Sequence, residues 1–164
     1  MQHFKRHPIR LSISFIKSVF FSHLVLSHLF TVGAAEGPSM LPTLTIQGEW
    51  FALDKRKRRG RGIAVGDLVI YKIPMSPNQS GIKRVVGMPG DYVSLGTPGE
   101  RGDDQMIQVP QGHCWIVGDN LPASRDSRAF GPLPLALVQA KVVGRLLPWD
   151  EQTWFTSGLQ PLND

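Results

Sequence analysis

The chain has 164 residues, enough for one ordinary domain and short for two, since domains most often run to about 100–150 residues. With 41% hydrophobic and 19% charged residues it is too apolar for a disordered chain, and 17 glycines and 13 prolines make it too rich in turn formers for a helix bundle. A formal net charge of +5 invites nucleic acid or an anionic membrane as partner, but Lys5, Arg6, Arg10 and Lys17 fall in an acid-free stretch, residues 1–35, leaving 14 basic against 13 acidic groups beyond it.

Residues 1–10 form a basic segment. From Leu11 to Val32 the chain reads LSISFIKSVFFSHLVLSHLFTV, which as a helix would span about 33 Å against a hydrocarbon core of about 30 Å. Lys17, His23, His28 and five serines interrupt the run, and the lysine must snorkel to a head-group. Residues 11–35 are read as a membrane anchor. The other readings are a cleaved secretory signal ending at Gly33-Ala34-Ala35, or an amphipathic presequence. Basic residues ahead of the apolar run put the N-terminus on the cytosolic or matrix-like side and everything after Glu36 across the membrane.

Residues 36–150 read as a β-domain and 151–164 as a tail. Short apolar runs bounded by Gly, Pro, Asp and Asn predict strands over Trp50–Leu53, Leu68–Ile73, Ile82–Val86, Tyr92–Leu95, Met106–Val109, Cys114–Val117 and Lys141–Leu147. Loops are expected over Asp54–Gly66, Pro74–Gly81 and Gly96–Asp104, and one helical turn over Leu133–Gln139. No strand–helix alternation or repeat is visible, so a mostly β, barrel-like or folded-sheet domain is expected. Cys114 is the single cysteine, which excludes an intramolecular disulfide framework and a Cys-based zinc cluster.

Three stretches carry chemistry. In Gly37-Pro38-Ser39-Met40-Leu41-Pro42-Thr43 a serine sits between two prolines that restrict the backbone and so aim its hydroxyl. A rigidly presented serine suits a nucleophile; taken alone, a turn serine is the plainer reading. A nucleophilic serine needs a base. Four of the five histidines lie in the N-terminal segment, and His113 opens a predicted strand, where a structural histidine is the simpler account. A lysine serves instead if burial lowers its pKa from about 10.4 towards 7–8. The candidate is Lys83 in Gly81-Ile82-Lys83-Arg84-Val85-Val86-Gly87, on the same strand face as Val85 and opposite Ile82, Arg84 and Val86. In the third stretch, Gly118 to Pro132, Asp126 and Arg128 can pair, and Ser124 or Ser127 can hold a lysine amine.

Together, in this order and behind an apolar segment, the three stretches resemble the signature boxes of the type I signal peptidase family, serine proteases with a Ser/Lys dyad. These boxes are Ser-Met-x-Pro-Thr, then Lys-Arg-Val-x-Gly-x-Pro-Gly-Asp, then Gly-Asp-Asn with Ser-x-Asp-Ser-Arg. The resemblance covers Gly37 to about Pro148. Within the family, Val109-Pro110-x-Gly112-His113-x-Trp115 leading into Gly118-Asp119-Asn120, with short spacing between boxes, is most similar to the first-subunit branch of the mitochondrial inner membrane peptidases.

The resemblance implies a signal-peptidase-like folded β-sheet domain behind one transmembrane helix. It makes Ser39 the nucleophile, Lys83 the general base, Ser124 the residue that orients the Lys83 amine, and Asp126 with Arg128 a structural pair beneath the site. The Ser39 backbone N–H is the implied oxyanion donor. Some bacterial members add a hydroxyl two residues before the nucleophile, where this chain has Gly37. No metal or other cofactor is implied. The implied partners are precursor proteins with cleavable sorting sequences, a second peptidase subunit and inner-membrane lipid, with the catalytic domain in the intermembrane space.

Lys55 to Arg61 holds six cations and in isolation looks like a nucleic-acid patch. Next to an anchor it reads first as a solvated loop and second as a contact with anionic head-groups, and no nucleic-acid partner is expected. A non-enzymatic basic β-domain acting through this run, on lipid or nucleic acid, is the competing reading from another class. A self-cleaving repressor-type Ser/Lys peptidase is the competing enzyme, which the anchor and the Gly118–Gly131 stretch oppose. Trp115, Trp149 and Trp154 are expected as core or rim aromatics.

Overall fold

The computed structural model describes residues 8–97 and 105–156. Most of the basic N-terminal segment, most of the Gly96–Asp104 loop and the end of the tail therefore lie outside the described residues. Helix α1 (Pro8–Leu24) continues through one wider helical turn, Val25–Leu29. Ile9–Leu29 is long and apolar enough to cross a membrane, and none of it is buried against the rest of the chain. The helix ends before Val32, the limit set by hydropathy. Phe30–Ala34 is instead strand β1, where β-branched Thr31 and Val32 favour extended backbone and a neighbouring strand supplies the ladder.

The remaining elements are β2 (Trp50–Asp54), β3 (Leu68–Ile73), β4 (Ser76–Gly87), β5 (Tyr92–Ser94), β6 (Met106–Gln108), β7 (His113–Val117), the single turn α2 (Ser127–Phe130), β8 (Leu133–Pro134), β9 (Val138–Leu147) and β10 (Thr153–Trp154). Eight strands form one sheet in the order β1-β2-β9-β3-β4-β7-β8, with β10 beside β9, while β5 and β6 pair separately. Every ladder is antiparallel. The mostly β domain behind one helix agrees with expectation.

Two boundaries differ. The loop expected over Pro74–Gly81 is largely strand: β4 starts at Ser76, and Lys72 pairs with Ser80 and Tyr71 with Gly81. Its polar composition reflects an exposed sheet edge, not a break in the ladder. The helical turn expected over Leu133–Gln139 shrinks to a 3-10 turn, Leu135–Leu137, between β8 and a β9 that begins at Val138.

Three apolar clusters flank the sheet. Phe51, Leu53, Leu68, Ile82, Ala140 and Val142 pack with Met40 and Leu44 on one side. Val69, Tyr71, Val85, Cys114, Ile116 and Val138 pack on the other, and Trp115 with Val93 and Val109 ties in the β5–β6 pair. In β9 Ala140 pairs with Ile70 but Val138 with Tyr71, so Gln139 is an extra residue. That bulge turns the strand and lets it contribute to both main clusters. Trp115 is a core residue, whereas Trp149 and Trp154 are 79% and 72% exposed.

Candidate active site

The 3-10 turn Pro38–Met40 presents Ser39. Its conformation follows from three local features. Gly37 has φ +122°, a value that favours glycine, and its N–H donates to Ile46 O at 2.9 Å. Pro38 occupies the first position of the turn, where its missing N–H costs nothing. Met40 and Leu44 then anchor the following residues in the core. The leading N–H groups of a helical turn have no acceptor within it, so the Ser39 amide is suited to meet an external oxygen.

Lys83 comes from the middle of β4, opposite Val69 of β3. Val69 and Val85 both belong to the second apolar cluster, so Lys83 shares its strand face with that core, and it is 5% exposed. Its Nζ lies 2.6 Å from Ser39 Oγ and donates to Ile82 O at 3.0 Å. Burial pulls the Lys83 ammonium below the ordinary lysine range, while the Asp126 and Asp119 carboxylates pull the other way without cancelling the effect. The site therefore couples a hydroxyl to an amine biased toward its neutral, proton-accepting form.

The turn after β7 closes the site. Asp126, fully buried, caps α2 and accepts from Gly118 N at 2.9 Å, Ser124 Oγ at 2.6 Å and Arg128 Nε at 2.9 Å. Burial pushes its carboxyl upward, but the Arg128, Gly118 and Ser124 bonds together hold it below the usual carboxylate range. Arg128 also donates to Thr97 Oγ1 and Leu121 O, so the Asp126–Arg128 pair knits the turn together. Among the described residues Ser124 Oγ bonds the Asp126 carboxylate, and the Lys83 amine bonds Ser39 and Ile82. Gly118 sits between Ser39 and Ser124: a Cβ there would come closer than 3.0 Å to both Ser39 O and Ser124 Oγ.

The sequence reading missed a second layer. Arg84, on the face of β4 opposite Lys83, makes a two-pronged ion pair with Asp119 at 2.8 and 2.7 Å and donates to Gly66 O. Asp119 also accepts from Thr43 Oγ1. Asn120 donates from its backbone to Ser39 O at 3.1 Å and from its side chain to Pro38 O at 3.0 Å. Farther along the same loop, Arg145 of β9 pairs with buried Glu49 at 2.8 Å and donates to Thr43 O. The available signal was the adjacency of two cations in Lys83-Arg84, which strand alternation places on opposite faces. His113, by contrast, contacts Gln111 O and opens β7 at the end away from Gly118. A small cavity of about 30 Å³ adjoins Ser39, lined among others by Ala35, Gly37, Met40, Leu44 and Ile82. Among the described residues no cluster of His, Cys, Asp and Glu is arranged to hold a metal ion.

The model of the family described as signal peptidase, peptidase S26, matches residues 9–99 and 93–147. The mitochondrial inner membrane protease subunit 1 of Schizosaccharomyces pombe is 37% identical over 155 residues, covering 94% of this chain and 96% of that protein. The protein of the same name from Saccharomyces cerevisiae is 37% identical over 78% of this chain and 73% of its own length. Among solved structures, a signal peptidase I from Enterococcus faecalis aligns with TM-score 0.38 and 24% identity, over 49% of this chain and 96% of that one.

Proposed function

This chain belongs to the signal peptidase family, peptidase S26, and is a protease; from that premise we propose that it is a membrane-anchored serine endopeptidase working through a Ser39/Lys83 dyad. The observation that carries the reading is the 2.6 Å approach of a buried lysine amine to the hydroxyl of a conformationally restrained serine. Neutral Lys83 takes the Ser39 proton as Oγ attacks the scissile carbonyl carbon. The developing oxyanion meets the Ser39 N–H. The C–N bond then breaks, and the Lys83 ammonium protonates the leaving amine. Water, deprotonated by the same amine, hydrolyses the Ser39 ester and frees the enzyme. The Asp126 charge acts on Lys83, and Ser124, the Gly118 N–H and Arg128 hold Asp126 in place.

The relatives named for the mitochondrial inner membrane support the same address here. Helix α1 is the anchor, the acid-free N-terminus stays in the matrix, and the domain faces the intermembrane space, clipping sorting sequences from proteins delivered there. The word subunit in those names supports assembly with a second peptidase chain. Substrate enters as an extended strand, and the cavity beside Ser39 favours a small side chain next to the cut.

Processing of a presequence-bearing precursor by the full chain in inner-membrane-like vesicles tests the mechanism. Ser39→Ala and Lys83→Ala are each expected to lower the rate about a thousandfold or more. Wild-type rates in both would refute the dyad.

A further inference from the structure

The Lys55–Arg61 run remains outside the proposed chemistry, and its position differs from that of a free loop. Lys55–Gly60 comprises two short 3-10 turns joined by a kink at Arg58 and Arg59, and Asp54 caps the first, accepting from Arg56 N at 2.9 Å. Lys55 Nζ reaches the end of the apolar helix, donating to Ser27 O at 3.2 Å and Leu26 O at 3.4 Å. These are among the last carbonyls of a helical segment that stops at Leu29, which lack partners within the helix and carry its partial negative charge. The Arg56 guanidinium pairs with Asp54 at 2.8 Å and lies 4.7 Å from the centroid of the Phe30 ring, the first residue after the helix. The basic turn is therefore tied to the end of α1 by two contacts.

A helix of this length exhausts its rise in crossing the hydrocarbon layer, so its C-terminal end marks the depth of the head-groups. Asp54 is already paired, and among the described residues Lys57, Arg58, Arg59 and Arg61 make no ion pair. Phe30 and Val32 continue an exposed apolar edge from the helix into β1. We propose that the Lys55–Arg61 turn is an anionic-phospholipid site, built against the end of the membrane helix, that sets the domain on the membrane surface. The proposal rests on α1 being the anchor. Charge complementarity and continuity with that helix select lipid head-groups over nucleic acid, which would have to reach cations held at the membrane plane.

The test is hydrogen exchange on the full chain in phosphatidylcholine nanodiscs with and without phosphatidylglycerol. Backbone amides of residues 55–62 are expected to exchange about tenfold more slowly in the anionic discs, because the anionic surface attracts the basic residues of the turn. A chain carrying Lys57→Gln, Arg58→Gln, Arg59→Gln and Arg61→Gln, with Lys55 and Arg56 kept, is expected to lose that difference while β2, β3 and β9 amides stay protected as in wild type. Equal exchange of the turn in both discs, or a difference that survives the four substitutions, would overturn the site. Protection of Ile9–Leu29 in both discs reads the anchor separately. Free exchange there overturns the anchor and the site together, whereas a protected helix with a lipid-insensitive turn overturns the site alone.

Discussion

In the proposed mechanism Lys83 links stability and catalysis through one proton. Because burial favours the neutral amine in the folded chain, the unfolded chain binds more protons between the folded pKa and the ordinary value of 10.5, and stability rises with pH across that interval. At neutral pH the buried amine therefore works against the fold. Lys83→Met, which fills the same space without a charge, is expected to raise stability by about 1 kcal/mol near pH 7 while abolishing turnover, checked by paired thermal melts and precursor cleavage. The wild-type rate should climb with pH on an acid limb that lies below the free-lysine range, and a profile flat down to about pH 5 would contradict a lysine base. Asp119 gives this an internal control, since its charge raises the Lys83 pKa: Asp119→Asn should shift the acid limb to lower pH, an effect that loosened packing alone does not produce. Gly118→Ala introduces a Cβ closer than 3.0 Å to Ser39 O and Ser124 Oγ. It should lower the melting temperature, by about 1–3 kcal/mol of stability, and depress kcat more than it raises KM.

At the scale of elements, the site is where four segments meet: the Ser39 turn, β4, the turn after β7 and α2. β4 presents Lys83 to Ser39 from one face and Arg84 to Asp119 from the other, so one strand fixes the amine beside the hydroxyl and clamps the loops around it. Asp119→Ala leaves a part-buried guanidinium unpaired and frees Thr43; a loss of about 1–3 kcal/mol is expected, measured by denaturant unfolding. Much of this was legible in the chain. Ser39, Lys83, Asp126 and Arg128 are singled out by the resemblance of three ordered boxes to a known family, since each stretch taken alone reads as an ordinary turn or surface charge, and β3 begins and ends as its apolar run predicts. The Arg84–Asp119 pair joins residues 35 positions apart, and no local pattern encodes a contact of that separation. The strand character of Ser76–Gly81 and of Phe30–Ala34 was hidden for a related reason. The first is polar because it is exposed, the second apolar because it continues the apolar N-terminal helix, and in both the partner strand decides the conformation.

For the whole molecule, the structure dictates where the proposed anchor and the domain can be separated. Hydropathy alone would cut near Ala35, but β1 is an integral edge strand whose residues from Phe30 to Ala34 pair with Asp54 to Trp50. A chain lacking residues 1–29 keeps that ladder; a chain lacking residues 1–35 exposes the far edge of β2 and uncovers Leu53, which packs against Gly33. The shorter deletion should therefore melt close to the wild-type domain and cleave a soluble peptide at a comparable rate. The longer one should melt lower by about 5 °C or more, given the roughly 2–8 °C that 1 kcal/mol moves domains of this size, and expose an edge prone to pairing with other chains. Against a membrane-inserted precursor the order changes: both deletions lose the effective concentration that a shared bilayer provides, so both should fail in vesicles where the full chain succeeds. Full processing of the vesicle-bound precursor by the 1–29 deletion would mean that anchoring contributes nothing to catalysis, and equal melting of the two deletions would mean that β1 belongs to the anchor rather than to the fold.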